Sequence, residues 1–180
     1  MTSEMLRTPE RRVEGEAKVT GAALYAADHR VEGMLHAAFT TSPFARARIV
    51  RIDTAAARAV PGVRAVLTGS DTRPARFGRT LHDRPVLCWE DVLFVGDRVA
   101  AVAADTPAAA DEAARLVSVE YEELEPILDP EAALAPDAPV LHPGRASYRF
   151  LRPGRPTFPH PNMQGYALHE HGDVAAGLAS

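Results

Sequence analysis

The sequence predicts a mixed α/β (α+β) domain, and three observations support this class. Short apolar runs of strand length alternate with turn residues along the chain. Thr106-Pro107 predicts a helix start, because the hydroxyl can cap the first turn and proline already has a helical φ. Beyond that helix, apolar Val117, Val119 and Tyr121 alternate with polar neighbours, which is typical of a half-exposed strand. A chain of 180 residues with 46% hydrophobic and 24% charged residues has an ordinary globular composition.

The first half of the chain predicts three strands and one short helix. Asp53-Thr54 offers an N-cap to a helix over Ala55–Val60, and Pro61-Gly62 ends it. The predicted strands are Leu35–Ser42, Ala47–Asp53 and Val63–Thr68.

In the first of these strands, alternate residues face opposite sides. Leu35, Ala37 and Phe39 share one face, and His36 lies on the other. We therefore interpret His36 as a surface or edge residue, with the apolar face turned inward.

The second half predicts a polar loop, a hairpin and a helix. The polar loop covers Arg73–Arg84. Gly96-Asp97 separates the apolar runs Val92–Val95 and Arg98–Ala104, and glycine at this position favours a type II′ hairpin turn. The helix that follows Thr106 is expected to pack through one side, formed by Ala109, Ala113, Leu116 and Val117.

Composition and charge exclude several classes of function. The formal net charge of −4 argues against nucleic-acid binding, which needs a basic face. Val99–Ala104, among the longest apolar runs, is far shorter than the roughly 20 residues of a membrane helix. The single cysteine, Cys88, excludes an internal disulfide and a cysteine-built zinc site. Residues 1–12 contain no recognisable secretory or twin-arginine signal, so we expect a cytoplasmic protein bound neither to nucleic acid nor to a membrane.

Few residues suggest chemistry. There is no glycine-rich phosphate loop, and Lys18 is the only lysine. Cys88 ends an apolar run and is interpreted as a buried, inert thiol. His169 and His171 would share one face of a strand and, with His160 nearby, could ligate a divalent metal. We favour an exposed polar stretch, because nothing in the sequence fixes the geometry of these histidines.

Proline density marks a boundary near the C-terminal end. Nine of the fifteen prolines lie between Pro126 and Pro161. Proline lacks a backbone N–H and fixes φ, so such a stretch cannot continue a helix or pair as a central strand. We predict a flexible arm at 1–12, a compact domain at 13–143 and a Pro-rich linker at 144–168.

Nine segments, taken in order along the chain, resemble one known family. They are Gly15–Gly21, Ala22–Asp28, Gly33–His36, Ser42–Asp53, Val60–Thr68, Asp83–Leu87, Val95–Asp105, Glu112–Leu124 and Pro130–Leu134. Together they are similar to the a/b hammerhead domain at the N-terminus of the molybdopterin-binding large subunit of the xanthine dehydrogenase and aldehyde oxidase family. Gly172–Ala179 resembles the helix that opens the next, cofactor-binding part. We therefore expect 169–180 to be the truncated start of that segment.

This resemblance implies a fold, a cofactor and partners. The fold would be of a/b hammerhead type with a Pro-rich C-terminal extension. In the family, the complete large subunit binds the molybdopterin cofactor and hydroxylates aldehydes or N-heterocycles, and partner subunits carry 2Fe-2S clusters and FAD. The partners implied are the remainder of a large subunit, an iron–sulfur subunit and an FAD subunit. No position here matches the family's cofactor loops or its catalytic glutamate, so no catalytic, cofactor-binding or metal residue is assigned, and we expect a structural and subunit-contact role.

Two surfaces are nevertheless singled out. The loop Phe77–Asp83 corresponds to a stretch that borders the substrate funnel in relatives, with Leu81 and His82 as its nearest members. Leu168, Val174 and Leu178 form a candidate association surface, on which we expect a homodimer. The competing hypothesis is a free-standing binding or scaffold module that kept the hammerhead fold without oxidoreductase activity.

Overall fold

The computed structural model of the protein describes residues 12–79, 81–151, 158–165, 169 and 171–179. The chain divides into two compact units, Met1–Met34 and Leu35–Ser180. In the first unit the described residues form a helix over Gly15–Val19 and a 3₁₀ turn over Ala26–Asp28. Most of the predicted arm at 1–12 lies outside the described residues.

The second unit is a mixed α/β domain, as the sequence predicts. Counting Gly15–Val19 as α1, its helices are α2 (Ala55–Arg58), α3 (Gly69–Thr72), α4 (Pro107–Leu116) and α5 (Val174–Ala179). Its strands are β1 (His36–Thr41), β2 (Ala47–Asp53), β3 (Val63–Thr68), β4 (Arg76–Phe77), β5 (Arg84–Pro85), β6 (Asp91–Val92), β7 (Arg98–Ala104) and β8 (Ser118–Glu123). Further 3₁₀ turns cover Ala132–Leu134 and Pro143–Ser147. No helix in the described part of the chain combines the length and apolarity needed to traverse a bilayer.

The first sheet has the order β1-β7-β3, with both pairs antiparallel. Helices α2 and α4 pack on one of its faces, where Val66 and Val102 are buried. The face of α4 in this core carries alanines, namely Ala110, Ala113 and Ala114. Such small side chains let the helix approach the sheet closely, and the resulting burial of apolar area is the main force holding the layers together.

Local hydrogen bonds fix both ends of α4. The Thr106 hydroxyl accepts a hydrogen bond from the Ala109 backbone N–H at 3.2 Å, which confirms the predicted N-cap. At the other end, the Thr40 hydroxyl of β1 donates to the Ala114 carbonyl at 2.7 Å. The last carbonyls of a helix lack partners within the helix, so this bond both satisfies one of them and ties α4 to β1.

The second sheet has the order β6-β2-β8 and is also antiparallel. Its core contains Ala47, Val92 and Val99 together with Cys88, all buried. Its opposite face is charged, and the guanidinium of Arg48 on β2 lies 2.8 Å from the Glu122 carboxylate on β8. This sheet therefore has one buried face and one solvated face, the usual pattern for antiparallel pairs.

The predicted hairpin over 92–104 is wrong. Val92 pairs with Ala47 in the second sheet, whereas β7 is the central strand of the first sheet. Gly96 does adopt a positive φ of 93°, as a tight turn requires, but the turn connects strands of different sheets. Because β7 pairs with β1 on one side and with β3 on the other, it offers no free sheet edge to a second chain.

Three finer predictions also need correction. On β1 the half-buried residues are His36, Ala38 and Thr40, whereas Phe39 is exposed, so the strand faces the opposite way from that predicted. Leu116 is exposed at the end of α4 and does not belong to the packed side predicted for this helix. The segment at 73–84 is more regular than a polar loop, since it contains β4 and reaches the first residue of β5.

Candidate functional site

The candidate site is a groove between two parts of the second unit. One part is the β4–β5 ribbon, formed by these two short strands and their connecting loop, and the other is the C-terminal extension, which comprises the described residues 124–151 and 158–165 after β8. The groove has a volume of about 840 Å³. Strand β4 pairs with β5, with Arg76 opposite Pro85 and Phe77 opposite Arg84. The loop between the two strands carries Leu81 and His82, the residues predicted to border the substrate funnel. The groove is lined by Phe77, Gly78, Arg79, Leu81, His82, Asp83, Arg84, Phe150, Gln164 and Gly165.

Gly78 allows the loop to fold back on itself. A Cβ atom built at this position would lie 1.9 Å from the carbonyl oxygen of Leu81, a distance that real Cβ atoms do not reach. The close approach of the two backbone segments therefore excludes any side chain at residue 78.

Arg76 joins the ribbon to the extension. Its guanidinium carbon lies 4.6 Å from the ring centre of Trp89 and 4.5 Å from that of Tyr148. The same guanidinium donates to the backbone carbonyl of Asp83 at 2.8 Å. A planar cation over two aromatic rings gains from their electron-rich faces, while its N–H groups remain able to donate hydrogen bonds.

The predicted residues Leu81 and His82 lie at the inner end of this loop. Leu81 forms an isolated antiparallel bridge with Phe150 and is only 8% exposed. The backbone N–H of His82 donates to the carbonyl of Arg149 at 2.9 Å, and the side chain of His82 is half-buried. Within this chain, the loop is thus covered by residues of the extension, and His82 is more open to the groove than Leu81.

A side-chain hydrogen bond also attaches the extension, and a ring contact lies within it. The amide of Gln164 donates to the buried carboxylate of Asp83 at 2.7 Å. The ring of His142 meets the Tyr148 ring edge-on at 5.8 Å. Burial lowers the pKa of His142 below its usual value. The groove itself combines the apolar side chains of Phe77, Leu81 and Phe150 with the charged side chains of Arg79, Asp83 and Arg84.

The other candidate residues are dispersed. Burial raises the pKa of the Cys88 thiol well above its usual value, with the nearby Asp97 carboxylate adding to the shift, and its side chain is 1% exposed. This confirms the prediction of a buried thiol, and the raised pKa makes it a poor nucleophile. His160 contacts the carbonyl of Ala135 at 3.1 Å, whereas His169 and His171 are exposed. Among the described residues, no three His, Cys, Asp or Glu side chains come together as metal ligands would.

The predicted association residues lie on and near α5. Val174 is 46% exposed and Leu178 is 85% exposed, one turn apart on the same helix. Leu168 lies outside the described residues. The first two therefore present apolar surface to solvent, and their use as a dimer contact stays a prediction.

Comparison with known proteins places this geometry in a family. The family model described as "Aldehyde oxidase and xanthine dehydrogenase, a/b hammerhead domain" matches residues 20–125. The chain is 43% identical over 140 residues to a probable xanthine dehydrogenase subunit of Bacillus subtilis, covering 77% of this chain and 19% of that protein. It is 42% identical over 132 residues to the nicotinate dehydrogenase large molybdopterin subunit of Eubacterium barkeri, covering 73% and 31% respectively.

A solved structure gives the same result. The reconstituted CO dehydrogenase from Oligotropha carboxidovorans superposes with a TM-score of 0.69 at 41% identity, covering 75% of this chain and 17% of that one. The two antiparallel sheets and their helices thus define an a/b hammerhead domain, and the chain belongs to the aldehyde oxidase and xanthine dehydrogenase family. The predicted family and fold are confirmed. The chain spans about one fifth of the length of the Bacillus relative, 19%.

Proposed function

We propose that this chain serves as the hammerhead domain of a molybdenum hydroxylase large subunit, with a structural and subunit-contact role and no catalysis of its own. The observation that carries this proposal is the match over residues 20–125, extended by relatives that are 42–43% identical over more than 70% of the chain. The relatives are several times longer, so the proposal concerns one domain of a larger assembly.

We propose that this chain does not hold molybdopterin on its own. The charged side chains that line the groove are Arg79, Asp83 and Arg84, and the Asp83 carboxylate already accepts a hydrogen bond from Gln164. No group of three metal-ligating side chains is found in the described part of the chain. Cofactor binding, and the hydroxylation it supports, would therefore depend on the remainder of the large subunit.

The proposed partners follow from the assembly to which the relatives belong. The Eubacterium relative is named a large molybdopterin subunit, and a Paenarthrobacter nicotinovorans relative, 41% identical over 159 residues, is named subunit gamma of a dehydrogenase complex. We propose that this chain works with the remainder of a large subunit, an iron–sulfur subunit and an FAD subunit, in the cytoplasm.

The groove at the β4–β5 loop is the proposed edge of the substrate approach. His82 is half-buried and faces this groove, while Leu81 supports the loop from inside through Phe150. In this arrangement, Leu81 and His82 would shape access to a cofactor held elsewhere and would take no part in proton transfer.

Purification of the isolated 180-residue chain tests the non-catalytic role. We expect less than stoichiometric molybdenum by elemental analysis, and no oxidation of aldehydes or purines with artificial electron acceptors. A folded, isolated chain that held one molybdenum per polypeptide and turned over either substrate class would refute the proposal.

A further inference from the structure

The first sheet has an outer face that differs from that of the second sheet. The face toward α2 and α4 is the buried core. On the outer face, register places the side chains in two cross-strand rows that run from β1 through β7 to β3. These rows are Ala37–Ala103–Ala65 and Phe39–Ala101–Leu67.

These two rows are wholly apolar and open to solvent. Phe39 and Leu67 are each 45% exposed, as is Leu35 just before β1. The outer face of the second sheet, by contrast, carries the Arg48–Glu122 ion pair. Antiparallel sheets that face water normally alternate apolar-in with polar-out. Here two adjacent rows of the exposed face are apolar, and the polar pair Thr41–Arg98 lies at one end of them.

The face also has a definite shape. The central strand contributes only Ala101 and Ala103, while the flanking strands contribute the larger Phe39 and Leu67. Because β1 and β3 are second neighbours, their backbones lie roughly 10 Å apart, with the methyl groups of Ala101 and Ala103 between them. The small central side chains let a helix that lies along β7 approach the sheet closely and pack its own side chains against Phe39 and Leu67.

We propose that this groove, which we call the alanine groove, receives an amphipathic helix from the remainder of the large subunit. The inference rests on the proposed function. The helix would lay its apolar stripe along Ala101 and Ala103, between Phe39 and Leu67, and would complete a helix–sheet–helix sandwich with α4 on the far side.

The area of the face argues against a second copy of this chain as the occupant. Three strands about 4.8 Å apart and about five residues long cover only roughly 200–250 Å². A stable dimer buries about 800 Å² per partner, several times more. A helix of the same large assembly is also held by other contacts or by the chain itself, and this raises its effective concentration at the groove. A small apolar face is therefore sufficient to bind it. Relatives have that additional chain, since this one spans only 19% of the Bacillus relative.

Charge at one end of the groove further defines the occupant. The guanidinium carbon of Arg98 lies 4.5 Å from the ring centre of Phe39. A helix whose C-terminal end or a carboxylate lies beside Arg98 would meet a favourable positive charge. The expected partner segment is therefore apolar on one side and acidic at the end nearest Arg98.

Site-specific photocrosslinking tests this assignment. A benzoylphenylalanine is introduced at Phe39 or at Leu67 in the tagged full chain, expressed in the source cell. Val50 is the matched control, because it is an exposed apolar residue on β2 in the other sheet. We expect light-dependent adducts at 39 and 67 to a helical segment of the large subunit, identified by mass spectrometry, and no such adduct at 50.

Each other outcome has a distinct meaning. Adducts at 39 and 67 only to a second copy of this chain, or no adducts although the large-subunit remainder copurifies, overturn the alanine groove but leave the proposed function standing. Absence of any molybdenum-containing large-subunit chain from the purified material overturns both.

A variant pair provides an independent measurement. Phe39→Ser with Leu67→Ser should weaken retention of the large-subunit remainder by about tenfold or more, the effect typical of removing interface anchors. Val50→Ser should not. Because Phe39 and Leu67 are partly exposed in the isolated chain, both variants should have the circular dichroism spectrum of the unchanged protein. Equal retention of the large-subunit remainder by the two variants would contradict the proposal.

Discussion

The guanidinium carbon of Arg76 lies 4.5 Å from the ring centre of Tyr148 and 4.6 Å from that of Trp89. These residues belong to the β4–β5 ribbon, the C-terminal extension and the segment that leads to β6. One cation therefore links three parts of the chain that are distant in sequence. This stack, the Leu81–Phe150 bridge and the Gln164–Asp83 hydrogen bond all attach the extension to the domain.

Replacing Arg76 by alanine should loosen the extension. The variant loses two cation–π contacts and the hydrogen bond to the Asp83 carbonyl, which together are worth about 2 kcal/mol. We expect a lower unfolding midpoint and faster chymotrypsin cleavage after Phe150. Arg84→Ala removes the same charge from an exposed position on β5 and is the control. Similar cleavage rates in both variants would show that the stack does not hold the extension.

Gly69→Ala should destabilise the whole domain. A Cβ at residue 69 would lie 2.2 Å from the backbone carbonyl oxygen of Cys88, so backbone must shift to admit it. We expect a loss of about 2 kcal/mol or more in the free energy of unfolding, measured by urea titration. Gly165→Ala is the matched control, because nothing lies within 4 Å of a Cβ built there. A change at residue 69 no larger than at residue 165 would contradict the packing described.

Stability should fall at alkaline pH, in part because of Cys88. Burial raises the pKa of this thiol above its ordinary value of 9.0, so the folded chain keeps a proton that the unfolded chain loses. The unfolded state then binds fewer protons, and the free energy of unfolding decreases as pH rises above about 9. Cys88→Ala should be less stable at pH 7 but should lose less stability than the natural chain between about pH 8 and pH 10. Parallel pH profiles for the two proteins would refute this contribution.

The isolated chain should self-associate at high micromolar concentration. Val174 and Leu178 present apolar surface one turn apart on α5, and we expect a symmetric dimer through them. Changing both to serine should shift sedimentation toward the monomer, and the shift should not depend on salt. A clean monomer for the natural chain at that concentration would rule out this contact.

Local sequence signals predicted much of the fold. The bounds of β2 and β3 agree with those predicted, and Thr106-Pro107 located the start of α4 correctly, since caps and turn residues act over a few positions. The hairpin prediction failed because pairing is decided by tertiary contacts. Val92 pairs with Ala47, forty-five positions earlier in the chain, and the residues around Gly96 contain no signal of this long-range pairing.

The sequence predicted the wrong orientation for β1, with Phe39 facing the core. Phe39 was expected inside because apolar residues normally face the core, yet it lies on the outer face of the sheet, where the proposed helix would cover it. In the candidate site, Leu81 and His82 were found by resemblance. The contact between Arg76 and Tyr148 was not predicted, because the two residues are far apart in the sequence and belong to no motif that would indicate that they meet.

Native mass spectrometry of the complex purified from the source cell, through a tag on this chain, tests the proposed role most directly. We predict one assembly that contains this sequence, a large-subunit remainder with its molybdenum cofactor, and subunits with iron–sulfur clusters and flavin. Recovery of the chain alone or as a simple homo-oligomer, with no molybdenum-containing partner, would contradict that role and would support a free-standing scaffold module.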